Sequence, residues 1–249
     1  MRVRTLLTKL ISHVGMLISH RHRFIVFPDP LGSCQWIKPV LQPWLDQTIA
    51  PRRRSSSSTL LFDGMSPHEA ELAFDFLDLP FRDYRRIAII RSPYAKMAQL
   101  YYRIALTDPL WRARGSLGLP LPRFGKWLAQ TRAHGLGAGG RTSPRWRRFG
   151  AWSVDAWCAD CVTDAVQAAN AVEELTQIFA DIGIAPAFGE RSFYDINRNR
   201  LGRLYDRSSI ALIKQRYASD LKMGKFDQTF YRLGPPPIMR TQARYQAFA

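Results

Sequence analysis

Two short runs of unbroken apolar residues organise the chain: Arg23–Phe27, ending Phe-Ile-Val-Phe, and Arg86–Ile90, ending Ile-Ala-Ile-Ile. Four consecutive apolar side chains suit a strand covered on both faces, as in a parallel sheet. Thr59–Phe62 is a shorter candidate of the same kind. Between and after these runs the apolar residues fall at helical spacing. A helix is expected from Gln35 to about Leu45, disturbed by Pro39 and Pro43. A second starts at Ser66-Pro67, an N-cap followed by proline in the first turn, and runs to about Leu77. A third follows Arg91-Ser-Pro-Tyr94 and continues through Tyr102. A short helix is expected from Phe124 to Ala133, and a long one over Asp164–Ile182 with Leu175, Ile178, Phe179 and Ile182 on one face and Gly183 as its cap. The last covers Ser208 to about Met223.

At the amino end, Leu6, Leu7, Leu10, Val14, Leu17 and Ile18 predict an amphipathic helix within residues 1–22. Residues 107–150 carry many Pro, Gly and Arg, and the wider region 103–160 reads as irregular beyond the short helix. Residues 235–249 read as an extended tail. Strands alternating with helices, with no internal repeat, predict one α/β domain over residues 1–249: a mainly parallel central sheet flanked by helices.

Composition adds the charge. The 249 residues are 46% hydrophobic, enough for a full core, and carry 36 Lys plus Arg against 20 Asp plus Glu, a formal charge of +16. Of the cations 29 are Arg and 7 are Lys. Arginine grips phosphate and sulfate groups with two parallel hydrogen bonds, so the balance points to an anionic partner: a nucleotide, a sulfated or phosphorylated substrate, nucleic acid or an anionic membrane surface. Three cysteines cannot build a disulfide framework. Lys9 and His13 interrupt the first apolar stretch, no small-residue cleavage site follows it, and no run is long enough to span a bilayer. A cytoplasmic protein is expected. The amino-terminal helix would dock on the domain or touch a membrane surface.

Each strand run leads through a turn into a helix. The first unit reads Phe-Ile-Val-Phe, then Pro28-Asp-Pro-Leu-Gly-Ser-Cys34, then Gln-Trp-Ile-Lys38. The second reads Ile-Ala-Ile-Ile, then Arg91-Ser-Pro-Tyr94, then Ala-Lys-Met-Ala-Gln99. Such turns present backbone N–H groups at a helix N-terminus, and in an open α/β sheet ligands bind at the carboxyl ends of the strands. Two anion-holding turns suit a ligand with two separated phosphates.

In these residues the chain resembles the P-loop sulfotransferase family of bacterial type, which uses 3′-phosphoadenosine 5′-phosphosulfate as sulfuryl donor. The family's second motif, Arg-x-Pro-Tyr-x-Arg-x-x-Ser-x-Tyr, is matched by Arg91, Pro93, Tyr94 and Tyr101, with Lys96 in the second basic slot and Gln99 in the serine slot. Ile210–Asp220 and the approach Asn197–Asp206 are similar to its closing segment. The resemblance implies a nucleotide-binding sulfotransferase-like fold. It also implies a donor held around Leu31, Gly32, Ser33, Cys34 and Gln35 and by Arg91 with Gln99 or Ser92, and in-line transfer to a hydroxyl or amine acceptor such as a carbohydrate. It implies no metal. The first loop departs from Pro-Lys-x-Gly-Gly-Thr-Ser: Asp29 stands in the lysine slot and Leu31 in that of the first glycine. A carboxylate about 4 Å from a phosphosulfate is repulsive by roughly 1 to 4 kcal/mol. Lys38, about one turn into the next helix, is the candidate replacement cation. His68 is the candidate base for the acceptor, or else an ordinary exposed helical histidine.

Other signals compete. A sulfotransferase-like protein that binds without turnover fits Asp29 and Leu31. The stretch Arg141–Arg148 mixes cations with Trp146, which suits a nucleic acid, an acceptor loop or a solvated surface. Cys158-Ala-Asp-Cys161 has thiol-redox spacing but lacks the preceding strand that would lead into a helix N-terminus, where such a thiol's pKa falls. Zinc-finger spacing is absent, and so is the G-x-x-x-x-G-K-[ST] of P-loop kinases.

Overall fold

The computed structural model describes residues 16–31, 36–48, 65–131, 147, 149–189 and 204–223. The expected strand Thr59–Phe62, the tail 235–249 and most of the amino-terminal segment lie outside them.

The sheet is built of β1 (Leu17–Ser19), β2 (Phe24–Phe27), β3 (Gln47–Thr48), β4 (Arg85–Ile90) and β5 (Asp164–Gln167). Its order is β3-β1-β2-β4-β5. β2, β4 and β5 pair in parallel, and β1 is antiparallel to both β2 and β3. Four strands therefore share one direction and only β1 is reversed. The helices are α1 (Ile37–Leu41), α2 (Pro67–Phe76), α3 (Pro93–Thr107), α4 (Pro109–Ser116), α5 (Phe124–Gln130), α6 (Val154–Cys158), α7 (Ala171–Asp181), α8 (Arg207–Arg216) and α9 (Ala218–Met223). The expected α/β class, a mainly parallel sheet flanked by helices, is the class observed.

Successive side chains of a strand point to opposite faces, and the core divides accordingly. Ile25 and Phe27 of β2 join Ala88 and Ile90 of β4 under α2 and α6, with Phe74, Phe81 and Trp157. Phe24 and Val26 join Ile87, Ile89 and Val166 under α1 and α7, with Leu41, Leu175 and Phe179. A third cluster unites α3, α5, α8 and α9 around Tyr94, Tyr101, Trp127 and Tyr217, and takes in Leu31 from the loop after β2.

α2 begins as its sequence predicts. Ser66 Oγ accepts from Glu69 N while Glu69 Oε2 accepts from Ser66 N, a reciprocal cap with Pro67 in the first turn. Gly183 closes α7 with φ 75°, a left-handed value that suits glycine.

Four expectations need correcting. Leu17 and Ile18 are not helical: Met16–Ile18 are buried, and Leu17 and Ile18 pair with Val26 and Ile25. Asp164–Gln167 is not the first turn of the long helix but an edge strand in register with Ile87–Ile90. Its place is set by Arg85, which donates to both oxygens of Asp164 at 2.7 and 2.8 Å. Residues 103–160 are not irregular throughout. α3 continues to Thr107, and Asp108 caps α4 by accepting from Leu110 N and Trp111 N. α5 ends at Gln130, and α6 follows from Ser153. The final helix is divided at Tyr217, whose hydroxyl donates to Ala151 O at 2.6 Å. No helix among the described residues is long and apolar enough to cross a membrane.

Candidate functional site

β2 and β4 are parallel neighbours in the register Phe27↔Ala88. The residues just past their carboxyl ends therefore face one another. Asp29 and Arg91 meet there: Arg91 Nε lies 3.1 Å from Asp29 Oδ2, and each side chain is 2% exposed. Arg91 Nη1 also donates to Gln99 Oε1, eight residues along the chain on α3. The backbone N–H of Leu31 donates to Asp29 Oδ1 at 3.3 Å. Arg103, one turn beyond Gln99, donates to the carbonyl of Leu31. Burial lowers its pKa, while the charge of Asp29 acts the other way.

Lys96 is the third cation here, and it is turned into the core. Its Nζ donates to Trp152 O at 2.6 Å and to Asp220 Oδ2 at 3.3 Å, and it lies 4.8 Å from the centre of the Tyr217 ring. Burial lowers its pKa against the pull of Asp220, and burial raises that of Asp220 against the pull of Lys96. Asp220 also accepts from Val154 N at 2.8 Å, at the start of α6. The expected basic stand-in of the second motif is thus held by a carboxylate and a carbonyl. Its charge still reaches Asp29. Three cations, Arg91, Lys96 and Arg103, and two carboxylates, Asp29 and Asp220, are thus brought together.

Between Asp29, Arg91, Lys96, Ile90, Trp152 and Trp157 lies a cavity of about 20 Å³. That is room for about one water, not for a nucleotide.

The structure brings together Asp29, Leu31, Arg91 and Gln99. Gly32, Ser33, Cys34 and Gln35 lie outside the described residues. Lys38 is half-buried on α1. His68 is exposed on α2, with Nδ1 3.8 Å from Glu71 Oε2. The two tyrosines of the second motif are core residues: Tyr205 Oη donates to Tyr94 O, and Tyr101 Oη donates to Pro122 O. Of the stretch Arg141–Arg148 only Arg147, exposed, is described.

Asp29 as the partner of Arg91, and Arg103 and Asp220 as members of the group, were not singled out in the sequence. A signal for the first was present: a carboxylate in a slot where the resembling family has lysine, two residues past one buried strand, with an arginine one residue past another. Asp220 carried none, because its partner Lys96 is 124 residues away.

The Cys158 and Cys161 thiols are buried, and burial pushes each up to about 12. Cys158 ends α6 rather than opening a helix after a strand, the reverse of what thiol-redox chemistry requires.

Comparison of the chain with family models, curated proteins and solved structures finds no match.

Proposed function

We propose that the chain is a sulfotransferase-like domain that binds 3′-phosphoadenosine 5′-phosphosulfate at the carboxyl ends of β2 and β4 and passes its sulfuryl group to a hydroxyl or amine. The observation that carries this reading is the buried Arg91, which leaves β4 beside the loop after β2 and is oriented by Gln99 on the helix that follows. A guanidinium fixed in this way offers paired donors to a phosphate. The N-terminus of the 15-residue α3 adds a favourable dipole at the same place.

In this reading Asp29 holds Arg91 until donor arrives, and donor binding has to displace a carboxylate. A second reading, binding without turnover, draws on the same residue. Asp29 stands where the resembling family places the cation that stabilises charge on the bridging oxygen, and a carboxylate there opposes the charge that develops during transfer.

Calorimetry with 3′-phosphoadenosine 5′-phosphate tests the site. Wild type is expected to bind in the micromolar range, about −8 kcal/mol. Asp29→Asn, which keeps an amide oxygen for Arg91 but removes the charge, should tighten binding about tenfold. Arg91→Lys, which keeps the charge but loses the fork, should weaken it by a similar factor. A folded wild type and a folded Asp29→Asn variant that both fail to bind would sink the proposal. Binding with no sulfuryl transfer to a panel of hydroxyl and amine acceptors would select the second reading.

A further inference from the structure

On the α2 side of the sheet three side chains of different chemistry converge. His68 and Glu71 are one turn apart on α2, whose start is fixed by the reciprocal cap at Ser66. Cys161 reaches them from the segment after α6, 90 residues away from Glu71. Cys161 Sγ donates to Glu71 Oε2 at 2.9 Å, and His68 Nδ1 lies 3.8 Å from the same oxygen. One ligand atom from each residue lies within 4.8 Å of the other two.

We propose that His68, Glu71 and Cys161 form a binding site for a zinc-like divalent cation, with a fourth position open to solvent. An imidazole nitrogen, a carboxylate oxygen and a sulfur are the donors zinc takes, at about 2.0 to 2.3 Å from the metal. Donors at those lengths in a tetrahedron lie roughly 3.2 to 3.8 Å apart. Cys161 Sγ and Glu71 Oε2, at 2.9 Å, therefore have to part by some tenths of an ångström, and the wider separations, up to 4.8 Å, have to close by about an ångström, for which the exposed ring of His68 is the part able to move. Soft sulfur with imidazole selects zinc over calcium or magnesium, which prefer oxygen alone.

Two further observations support a built site. The oxygens of Glu71 are divided between two tasks: Oε2 faces Cys161 and His68, while Oε1 is held by Arg82. A cation bound at Oε2 leaves the Arg82 contact intact, and that contact then orients the ligand, as outer hydrogen bonds of metal-bound carboxylates do. The backbone before Cys161 is also unusual. Ala159 and Asp160 both take left-handed values, φ 46° and 59°, without a glycine. Such values are unfavourable for residues that carry a Cβ. The turn they make carries the chain from the end of α6 to a Cys161 whose sulfur is directed at Glu71.

The test uses the full chain stripped of metal and titrated with zinc against a chromophoric chelator, then with cobalt as a spectroscopic substitute. One zinc per chain is expected. His68→Ala, at an exposed position of a capped helix, should fold normally and weaken binding at least about tenfold. The cobalt form should show a thiolate-to-cobalt charge-transfer band that disappears in Cys161→Ser and persists in Cys158→Ser, with circular dichroism confirming that each variant is folded. Zinc binding well below one per chain, affinity unchanged by His68→Ala, or a band that survives Cys161→Ser would each overturn the proposal.

Discussion

Asp29 and Arg91 form an ion pair almost fully removed from water, and a pair of that kind is fragile in one direction. Removing either partner takes a close counter-charge from the other, at a cost of about 3 to 5 kcal/mol, whereas removing both costs much less than the sum. Asp29→Ala and Arg91→Ala are each expected to lower stability by that amount, and the double variant to recover part of it, read from urea unfolding midpoints at constant slope. Strict additivity would show that the two side chains do not depend on each other. The pair also marks how far residue-level reading of the sequence reached. Arg91 and Gln99 were recognisable because both lie in one local stretch. Asp29 was recognisable as an oddity, a carboxylate in a basic slot, but its role needed the parallel register of β2 and β4 that sets it opposite Arg91. Lys96 was misplaced for a related reason: its motif position is local, whereas the Asp220 that draws it inward is distant in sequence.

Elements were legible where their own residues decide their conformation. α8 is an example. Asp206 caps it, accepting from Ser209 N at 2.7 Å and from the hydroxyls of Ser208 and Ser209. The Ser209 hydroxyl, followed by its backbone N–H, holds the carboxyl below its usual range. A lowered folded value means that the cap contributes stability above the unfolded carboxylate pKa, near 3.8. That contribution is lost as pH falls through the lower folded value. Asp206→Ala should cost about 1 kcal/mol at neutral pH. The difference from wild type should shrink in thermal melts carried into the acid range, and a difference that does not change with pH would rule out the carboxylate as its source. The start of α2 was equally readable, from Ser66-Pro67. β1 and β5 were not. Leu17 and Ile18 fit a helical stripe as well as a strand, and only pairing with β2 decides between them. Asp164–Gln167 has one buried apolar side chain, Val166, and becomes a strand because Arg85 and the edge of β4 hold it there.

At the scale of the molecule, the sheet carries a helical layer on each face, and the third cluster, around α3, packs helix against helix. The class was readable from two buried apolar runs alternating with helical spacing. The third cluster was not, because its members come from four helices spread between residues 93 and 223. Asp220 secures its far end: from α9 it reaches Lys96 on α3 and the first N–H of α6. Asp220→Ala should therefore leave both a buried lysine and a buried N–H without this acceptor and destabilise the protein by about 3 to 5 kcal/mol. Hydrogen exchange of the α3 and α6 amides should accelerate together; faster exchange confined to α9 would show that Asp220 acts only on its own helix. The same contact has a consequence during synthesis. Ribosomes add about 5 to 20 residues per second, so the 124 residues from Lys96 to Asp220 take roughly 6 to 25 s to make. Throughout that interval the ammonium on α3, within the segment of chain that will line its helical core, lacks the Asp220 carboxylate. Without that carboxylate the buried charge disfavours closure of the core, so the core is expected to close only once α9 has been made.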